Sequence, residues 1–366
     1  MKHKKITRRK FLKQSTKAVI GAAASSFMLS GSVFSPKGKR PVVSLVKIKN
    51  DNIGAAVEEA IDLLGGISEV TKGKERIMLK PNLVAPASEV TTKPEVIKTL
   101  AQMMKKAGKE VSVGEGSATA PSFNVQGDEV FRTKKRDILD KMQQFVFDNL
   151  GYSELAQSLG ISLVNLHSGE MAEVEVPGAF CFDKITLHRS LQDIDLLCSV
   201  PMMKTHVFAQ VTLGMKNLIG LYPGTVYQSV RGLMHDLASE VEPSGTAVAI
   251  VDMVRANKLG LVVVDGSMAM EGEGPTNGTL VKMDLIIAGT NPLATDMVAA
   301  NCMSFKPSDV PTFIWANKAG MKPTCLDDIE LRGERPKNVG RKFVRPTIYA
   351  WKDIRNIWGA KVIKTC

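Results

Sequence analysis

Short β-branched runs alternate with stretches of helical spacing along this chain, and this alternation restricts its fold more than any other feature. Residues 42–48 form a β-branched run, and apolar residues then recur at helical spacing until Gly65 and Gly66 end the pattern. Two further short strands, at residues 77–79 and 111–113, enclose a helix that a proline opens. This order favours parallel strands. We therefore predict an α/β fold, a mostly parallel sheet flanked by helices.

The second half of the sequence extends this sheet and adds a smaller unit. Two runs, at residues 173–176 and 184–187, lie close together and predict an antiparallel or mixed subdomain. The other strands predicted in this half cover residues 161–166, 196–200, 261–264, 284–288 and 328–331. We assign residues 42–332 to one domain, built as a single body or as two lobes, and residues 333–366 to a basic C-terminal tail.

The first 35 residues are predicted to be a twin-arginine signal peptide. Residues 1–17 carry eight lysines and arginines and no acid, and the apolar run that follows, residues 18–29, is too short to cross ~30 Å of hydrocarbon as a helix. Residues 7–13 look like the twin-arginine consensus, and an ordinary basic leader with two adjacent arginines is the alternative. The consensus implies export by the twin-arginine translocase to the periplasm or another extracytoplasmic site, with no stable membrane span.

The net charge of +11 belongs to residues 1–40, which are the predicted leader and the five residues after it. Residues 1–40 hold 11 of the 48 basic residues and none of the 37 acidic ones, so 37 basic residues face 37 acidic residues from Pro41 onward. The body of the protein also has no stripe of aromatic and basic residues. The sequence therefore argues against nucleic acid as a partner.

Polar residues and glycines follow the predicted strands, at the sheet edge where α/β proteins bind ligands. Lys80 and Asn82 follow one strand and would present an ammonium and an amide to an anionic or carbonyl-bearing ligand. Gly114 and Gly116 follow the next strand, where their backbone N–H groups would approach a phosphate or carboxylate. Two glycines in a tight turn are also common for steric reasons alone.

A denser basic cluster follows the strand at residues 196–200. Lysines and histidines in an apolar, glycine-rich stretch are costly to bury unless an anion or a metal meets them. We predict that Lys216 and Asn217 bind the anion, and that Lys204 with His206 or His235 acts catalytically, a histidine transferring the proton. A single histidine is more often a satisfied core or surface residue than a ligand.

Four carboxylates in the second half predict a divalent-cation site. Asp265 ends a strand, Glu271 and Glu273 lie in a glycine-rich loop predicted over residues 267–279, and Asp296 lies in the first turn of a helix. Oxygen ligands on a flexible loop suit Mg²⁺, Ca²⁺ or Mn²⁺. A solvated loop with acids that cap helices is the alternative.

These segments, in this order, resemble the signature segments of the domain of unknown function 362 family. The resemblance spans roughly residues 42–330 and rests on Lys80-Pro81-Asn82, Lys204-Thr205-His206, residues 214–220, Asp265-Gly266, residues 271–275 and Asp296. Members of the family also have twin-arginine leaders, and other members carry an iron–sulfur module with closely spaced cysteines. The five cysteines of this chain show no such spacing, so the chain has no iron–sulfur cluster motif. The resemblance implies a domain and no particular reaction.

Three classes of function are compatible with these residues. The main hypothesis is a metal-dependent enzyme that acts on a small phosphate or carboxylate, with the cation and the lysines stabilising developing charge. The second is a redox or iron–sulfur-associated accessory protein, because the twin-arginine route often carries cofactor-bearing proteins. The third is a non-catalytic protein that binds a small anionic ligand.

Overall fold

The strands form where the β-branched and apolar runs of the sequence lie. The structure is a computed structural model that describes residues 40–127, 129–351 and 353, so the predicted leader of residues 1–35 lies outside the described residues. The strands are β1 (Val42–Lys47), β2 (Arg76–Pro81), β3 (Glu110–Glu115), β4 (Val125–Gln126), β5 (Glu129–Val130), β6 (Ser162–Asn165), β7 (Met171–Glu175), β8 (Lys184–His188), β9 (Leu196–Val200), β10 (Met202–His206), β11 (Gln210–Thr212), β12 (Leu259–Glu271), β13 (Thr279–Gly289) and β14 (Glu330–Gly333).

The helices begin where caps and prolines favour them. Asn52 accepts a hydrogen bond from the backbone N–H of Ala55, and Asn291 accepts one from Ala294, so each asparagine satisfies a free donor at a helix start. The helices are α1 (Ile53–Asp62), α2 (Ile67–Val70), α3 (Pro94–Lys106), α4 (Arg136–Asn149), α5 (Tyr152–Leu159), α6 (Ser190–Asp193), α7 (Gly214–Asn217), α8 (Gly224–Tyr227), α9 (Gly232–Ala238), α10 (Ala247–Arg255), α11 (Pro292–Cys302), α12 (Pro311–Lys318) and α13 (Pro336–Val339).

One large sheet dominates the described part of the chain. Its strand order is β14-β1-β13-β12-β9-β2-β3-β6, and β10 joins it by pairing with β12 and β11. The run from β12 through β9, β2 and β3 to β6 is parallel, whereas β13 is antiparallel to both of its neighbours. The predicted mostly parallel sheet is therefore confirmed, and the carboxyl ends of β2, β3 and β9 lie at one edge.

Helices cover both faces of this sheet, as a largely parallel sheet requires. Successive strand residues point to opposite faces, so Ile77 and Leu79 pack into one hydrophobic cluster with α1, α3, α4 and α5. Met78 packs into the other cluster, with α10, α11 and α12. Lys80, the next residue on β2, therefore lies on the same face as Met78, where it is buried.

A separate two-stranded sheet forms where the sequence predicts the smaller subdomain. Strands β7 and β8 pair antiparallel, with Met171 opposite His188 and Glu175 opposite Lys184. The predicted antiparallel unit is confirmed.

The prediction of a loop over residues 267–279 is wrong for residues 267–271. Strand β12 continues to Glu271, where it pairs with Thr279 of β13. The register shifts between Gly266 and Met268, so a bulge separates the β-branched half of β12 from its less apolar continuation. Hydrogen bonds to β13 hold this second half as a strand, although its own residues have low strand propensity.

The length and apolar content of the described helices bear on whether any of them could span a membrane. No helix in residues 40–127, 129–351 and 353 is long and apolar enough to cross a membrane.

Candidate functional site

A cavity of ≈ 150 Å³ lies at the edge where β2 and β3 end. Six of its lining residues are basic and, among the described lining residues, only one is acidic. The basic residues are Lys80, Arg132, His206, Lys216, Arg231 and His235, the acid is Glu115, and Asn82, Gly116 and Asn217 also contribute to the wall. The cavity thus brings together most of the predicted catalytic and anion-binding residues.

Lys80 and Glu115 form a buried ion pair in the cavity wall. The Lys80 Nζ donates to Glu115 Oε1 at 2.7 Å, to the carbonyl of the proline beside it at 3.0 Å and to Asn217 Oδ1 at 3.3 Å. Glu115 also accepts from the backbone N–H groups of Leu83 at 2.9 Å and Gly116 at 2.8 Å. Burial lowers the pKa of Lys80, and the charge of Glu115 opposes this shift. The predicted anion-binding ammonium of Lys80 is therefore already matched by a carboxylate of the protein.

Asn217 connects this ion pair to the neighbouring strand end. Its Nδ2 donates to the backbone oxygen of Lys80 at 3.0 Å and to Ser199 Oγ at 3.1 Å, and its Oδ1 accepts from Asn82 Nδ2 at 3.2 Å. Asn82 Oδ1 is buried and has no hydrogen-bond partner within the described chain. A buried acceptor without a partner is unusual in a folded protein, so Asn82 has an oxygen available for a ligand.

Lys216 differs from the other lysines near the cavity. It lines the cavity and is half-buried, and its amine makes no hydrogen bond or ion pair with any residue that the structure describes. Burial, followed by the charges of Lys80 and Arg231, lowers its pKa to about 7, whereas Glu115 acts in the opposite direction. Near neutral pH the amine is therefore present in both its charged and its uncharged form.

The two cavity histidines carry their protons on different nitrogens. His206 Nδ1 accepts from the backbone N–H of Phe208 at 3.0 Å, so its proton lies on Nε2 in the neutral ring. His235 Nδ1 lies 2.8 Å from the carbonyl oxygen of Gly245, which only accepts, so its Nε2 is left as an acceptor. Burial lowers the pKa of both rings, to about 3 for His235. The pair offers one donor and one acceptor.

Two arginines in the cavity wall, Arg132 and Arg231, were not among the site residues predicted from the sequence. Arg231 donates to the backbone oxygens of Ser117 and Gly220, each at 2.9 Å, and Arg132 NH1 donates to Asp236 Oδ2 at 2.7 Å. Arg231 Nε and Arg132 NH2 are both buried without a hydrogen-bond partner in the described residues. Each guanidinium therefore retains a donor that no described residue accepts from.

Lys204, predicted to be catalytic, is placed behind the cavity wall. Its Nζ donates to the backbone oxygens of Val90 at 2.7 Å and Pro275 at 3.2 Å, and the side chain is fully buried. Burial lowers its pKa well below the usual range of lysine. These bonds tie the loops around the cavity together, and Lys204 is not among the lining residues.

The predicted glycines allow close packing at the ends of β2 and β3. A Cβ on Gly114 would lie 2.5 Å from Met78 Sδ, and one on Gly116 would lie 2.7 Å from both Arg231 NH2 and the oxygen of Gly220. The N–H of Gly116 donates to the neighbouring glutamate. The steric alternative therefore explains both positions, although Gly116 also lines the cavity.

Asp296 and Asp265, two of the predicted metal ligands, accept hydrogen bonds from backbone N–H groups. Asp296 accepts from Gly214 at 2.7 Å and Met215 at 2.8 Å, at the start of the α7 turn that carries Lys216. Asp265 accepts from the N–H of Lys93 at 2.8 Å. Burial raises the pKa of both carboxyls, to about 7 for Asp296. These acids orient the chain around the site.

The other two predicted ligands hold the C-terminal tail. Glu271 accepts from the N–H of Val344 and Glu273 from that of Thr347, each at 2.9 Å. Across the described ranges, no three His, Cys, Asp or Glu side chains are arranged so that they could hold a metal ion. The structure therefore does not bring the four predicted carboxylates together as one ligand set.

The tail they hold completes the cavity. Trp351 lines it, stacks on His235 with ring centroids 4.2 Å apart, and donates from Nε1 to Asp236 Oδ1 at 2.8 Å. The guanidinium of Arg132 lies 5.1 Å from the Trp351 ring centroid. The tail therefore supports His235 and Arg132, the two side chains that Trp351 contacts in the cavity wall.

A family model described as "Domain of unknown function (DUF362)" matches residues 77–301. The chain belongs to the DUF362 family. The matched segment runs from β2 to α11 and contains every site residue named by the sequence analysis, from Lys80 to Asp296. The resemblance drawn from the motifs is thereby confirmed at the level of the family.

One curated relative and two solved structures are similar to this DUF362 chain. The thylakoid-associated protein sll1697 of Synechocystis sp. (strain ATCC 27184 / PCC 6803 / Kazusa) is 27% identical over 291 residues, which cover 78% of this chain and 81% of the relative. The lactate racemase apoprotein of Thermoanaerobacterium thermosaccharolyticum is 15% identical and covers 69% of this chain at a TM-score of 0.38. A Thermotoga maritima protein is also 15% identical, with 67% coverage and a TM-score of 0.36. The match spans only 54% and 57% of these two chains.

Proposed function

We propose that this DUF362 protein is an enzyme that binds a small phosphate- or carboxylate-bearing substrate in the cavity and transfers protons there. The observation that supports this most directly is the amine of Lys216. It lines a predominantly basic cavity and has neither a hydrogen bond nor an ion pair within the described residues. An anion would supply the missing partner.

The balance of charge in the cavity favours an anion. Glu115, the one acid among the described lining residues, is already paired with Lys80 at 2.7 Å. The two cavity histidines are neutral near pH 7, because burial lowers their pKa values. Arg132 is paired with Asp236 at 2.7 Å, so Arg231 and the charged form of Lys216 leave a net positive charge in a partly desolvated space. Positive charge is costly in such a space, so binding of an anion is favourable.

The same groups suit proton transfer. The pKa of Lys216, about 7, allows its amine to accept or donate a proton near neutral pH, where general acid–base catalysis is most efficient. His206 Nε2 is left as a donor and His235 Nε2 as an acceptor. A bound anion between these groups would find a positive charge, a donor and an acceptor in the same wall.

The cation of the original hypothesis has no role in this proposal. Asp265, Glu271, Glu273 and Asp296 each accept backbone N–H bonds in different parts of the fold. The proposed proton transfer relies on Lys216, His206 and His235, and assigns no role to a metal held by these four carboxylates.

Proton exchange in D₂O tests the proposal. We expect the protein to exchange a carbon-bound proton of at least one of succinate, malate and 3-phosphoglycerate, detected by proton NMR. Lys216→Met should abolish this exchange, whereas Lys106→Met, on the exposed end of α3, should retain it. Binding of these compounds without exchange would instead indicate the non-catalytic anion-binding protein.

Export by the twin-arginine translocase is a second, independent proposal, supported by Arg8, Arg9, Phe11, Leu12 and Lys13 in the order of the consensus. It places the mature protein in the periplasm or another extracytoplasmic compartment. We expect the full chain with Arg8→Lys and Arg9→Lys to remain in the cytoplasmic fraction, and a Lys4→Gln control to be exported. Equal export of both variants would contradict the proposal.

A further inference from the structure

We propose that Lys216 forms a covalent imine with the carbonyl carbon of a small 2-oxo acid bound in the cavity. This inference rests on the proposed function and narrows its substrate class. It assigns Lys216 the role of a nucleophile and explains why the amine has no partner among the residues that the structure describes.

The surroundings of the Lys216 amine differ from those of the two other lysines predicted to act at the site, Lys80 and Lys204. The Lys80 amine is held by Glu115 and by two further acceptors, and the Lys204 amine donates to two backbone oxygens behind the wall. The Lys216 amine has no such bonds among the described residues and lines the open space. A lysine becomes nucleophilic when it is desolvated and placed beside other cations, and Lys80 and Arg231 are the cations whose charge acts on it.

The cavity is suited to a small molecule and to the exclusion of water. Its volume is ≈ 150 Å³, and apolar side chains complete its wall, among them Leu83, Val84, Ile219 and Val230. An apolar wall disfavours the charged form of an amine. It also limits the access of the water that would hydrolyse an imine.

The arginine N–H groups that have no hydrogen-bond partner would bind the carboxylate of a 2-oxo acid. Arg132 NH2 and Arg231 Nε are buried without partners among the described residues, and both side chains line the same cavity as Lys216. An arginine N–H is a strong donor to a carboxylate oxygen. A ligand that meets both the arginines and the amine needs a carboxylate and a carbonyl, and a 2-oxo acid carries the two groups side by side.

The chemical step uses no reagent beyond the ligand and water. The uncharged Nζ of Lys216 attacks the carbonyl carbon, a C–N bond forms, and the π electrons of the carbonyl move to its oxygen. The nitrogen loses a proton to that oxygen, towards which His206 Nε2 is available as a hydrogen-bond donor. A further proton from solvent then lets the oxygen leave as water, while the nitrogen lone pair forms the C=N bond.

Borohydride trapping with pyruvate tests the inference. Borohydride delivers a hydride to the imine carbon and leaves a stable secondary amine, which peptide mass spectrometry locates. We expect near-complete modification of Lys216 in the full chain and background levels at the exposed Lys106. Propionate, a carboxylate of similar size without the carbonyl, should reduce the labelling by competition and should form no adduct.

Lys216→Arg separates this inference from the proposed function, because it keeps a positive charge but removes the nucleophilic amine. We expect this variant to bind propionate within about threefold of wild type in calorimetry, and to give no pyruvate adduct. Wild-type protein that binds propionate and pyruvate but is not trapped at Lys216, or is labelled equally at exposed lysines, overturns the imine and leaves the anion site intact. Wild-type protein that binds neither compound overturns both.

Discussion

Lys80 at the end of β2 and Glu115 at the end of β3 form an ion pair, Nζ to Oε1 2.7 Å, in which both side chains are almost completely buried. A buried pair of this kind contributes little net stability, but removing one partner leaves an uncompensated charge in the protein. The pair therefore fixes two neighbouring strand ends at the cavity and keeps the positive charge of Lys80 from repelling a second cation.

Replacing Glu115 tests the cost of breaking this pair. We expect Glu115→Gln to lower the free energy of unfolding by about 3 kcal/mol, because Lys80 stays buried without its carboxylate. Urea denaturation followed by circular dichroism measures this change. Glu110→Gln, an exposed residue on the same strand, should change the stability by less than about 0.5 kcal/mol. Equal effects of the two substitutions would contradict the role of the pair.

The pKa of Lys216 predicts how anion binding depends on pH. A lysine is charged below its pKa, which is about 7 here, so sulfate affinity should be greatest at low pH and fall as the pH rises. Between about pH 6 and about pH 8.5 we expect a decrease of about tenfold in calorimetry. Of the groups that face Lys216, His206 and His235 are already neutral in this range. An unchanged affinity, or an equal decrease in Lys216→Met, would show that another group governs binding.

Asp296 gives a prediction about stability and pH. Burial raises its pKa to about 7, above the usual value of 3.8, so its contribution to stability is complete below about pH 4 and is lost as the pH rises through 7. Asparagine resembles the protonated acid and does not ionise. In urea denaturation near pH 4.5, Asp296→Asn should be less stable than wild type, because its Nδ2 cannot accept the backbone N–H that the second carboxyl oxygen accepts. This deficit should shrink towards pH 8, where the wild-type carboxyl ionises.

The exposed Asp327 provides the control for this experiment. Asp327→Asn should keep the pH dependence of the wild-type protein, because an exposed carboxyl has no burial to relieve. A difference between Asp296→Asn and wild type that stays constant from pH 4.5 to 8 would mean that Asp296 keeps the same charge throughout.

Trp351 is expected to control the ionisation of His235, on whose ring it stacks. Burial is the main cause of the low pKa of His235, about 3. Trp351→Ala should expose the ring and raise this pKa towards 6.5, although Lys216 and Arg132 will still oppose protonation. Proton NMR of the imidazole Cε1–H measures the shift. Trp315→Ala, which removes a tryptophan packed against Phe180, should leave the His235 titration unchanged.

The architecture was largely predictable because the sheet is built from local signals. β-branched runs marked β1 and the first half of β12, and the proline that opens α11 marked a helix start. Strand order and the extension of β12 were not predictable, because both depend on pairing with β13 and neighbours distant in sequence. Residues 267–271 are a strand only because β13 supplies their hydrogen bonds.

The site was predictable where its residues directly follow strands. Lys80 was named because it ends a strand at the carboxyl edge of a parallel sheet, whereas Lys216 was named because lysines and histidines are costly to bury in an apolar, glycine-rich stretch. Arg231 lies in the glycine-rich stretch that follows β11, and nothing in the sequence marked it as different from a surface arginine. Nothing in the sequence indicated Arg132, because its position in the cavity wall depends on contact with Trp351, a tail residue more than 200 positions away. The sequence did not distinguish two uses of the acids, because a carboxylate that accepts backbone N–H groups and a metal ligand have the same local sequence.

Calorimetric titration of the protein with sulfate at about pH 6 tests the central claim, that the Lys216 cavity is an anion site. The account predicts saturable binding to the wild-type protein and to Lys106→Met, and an affinity at least about tenfold weaker in Lys216→Met, because a charge-assisted hydrogen bond is worth about 1.5–3 kcal/mol. Sulfate binding that is equally strong in Lys216→Met and in wild type would contradict it.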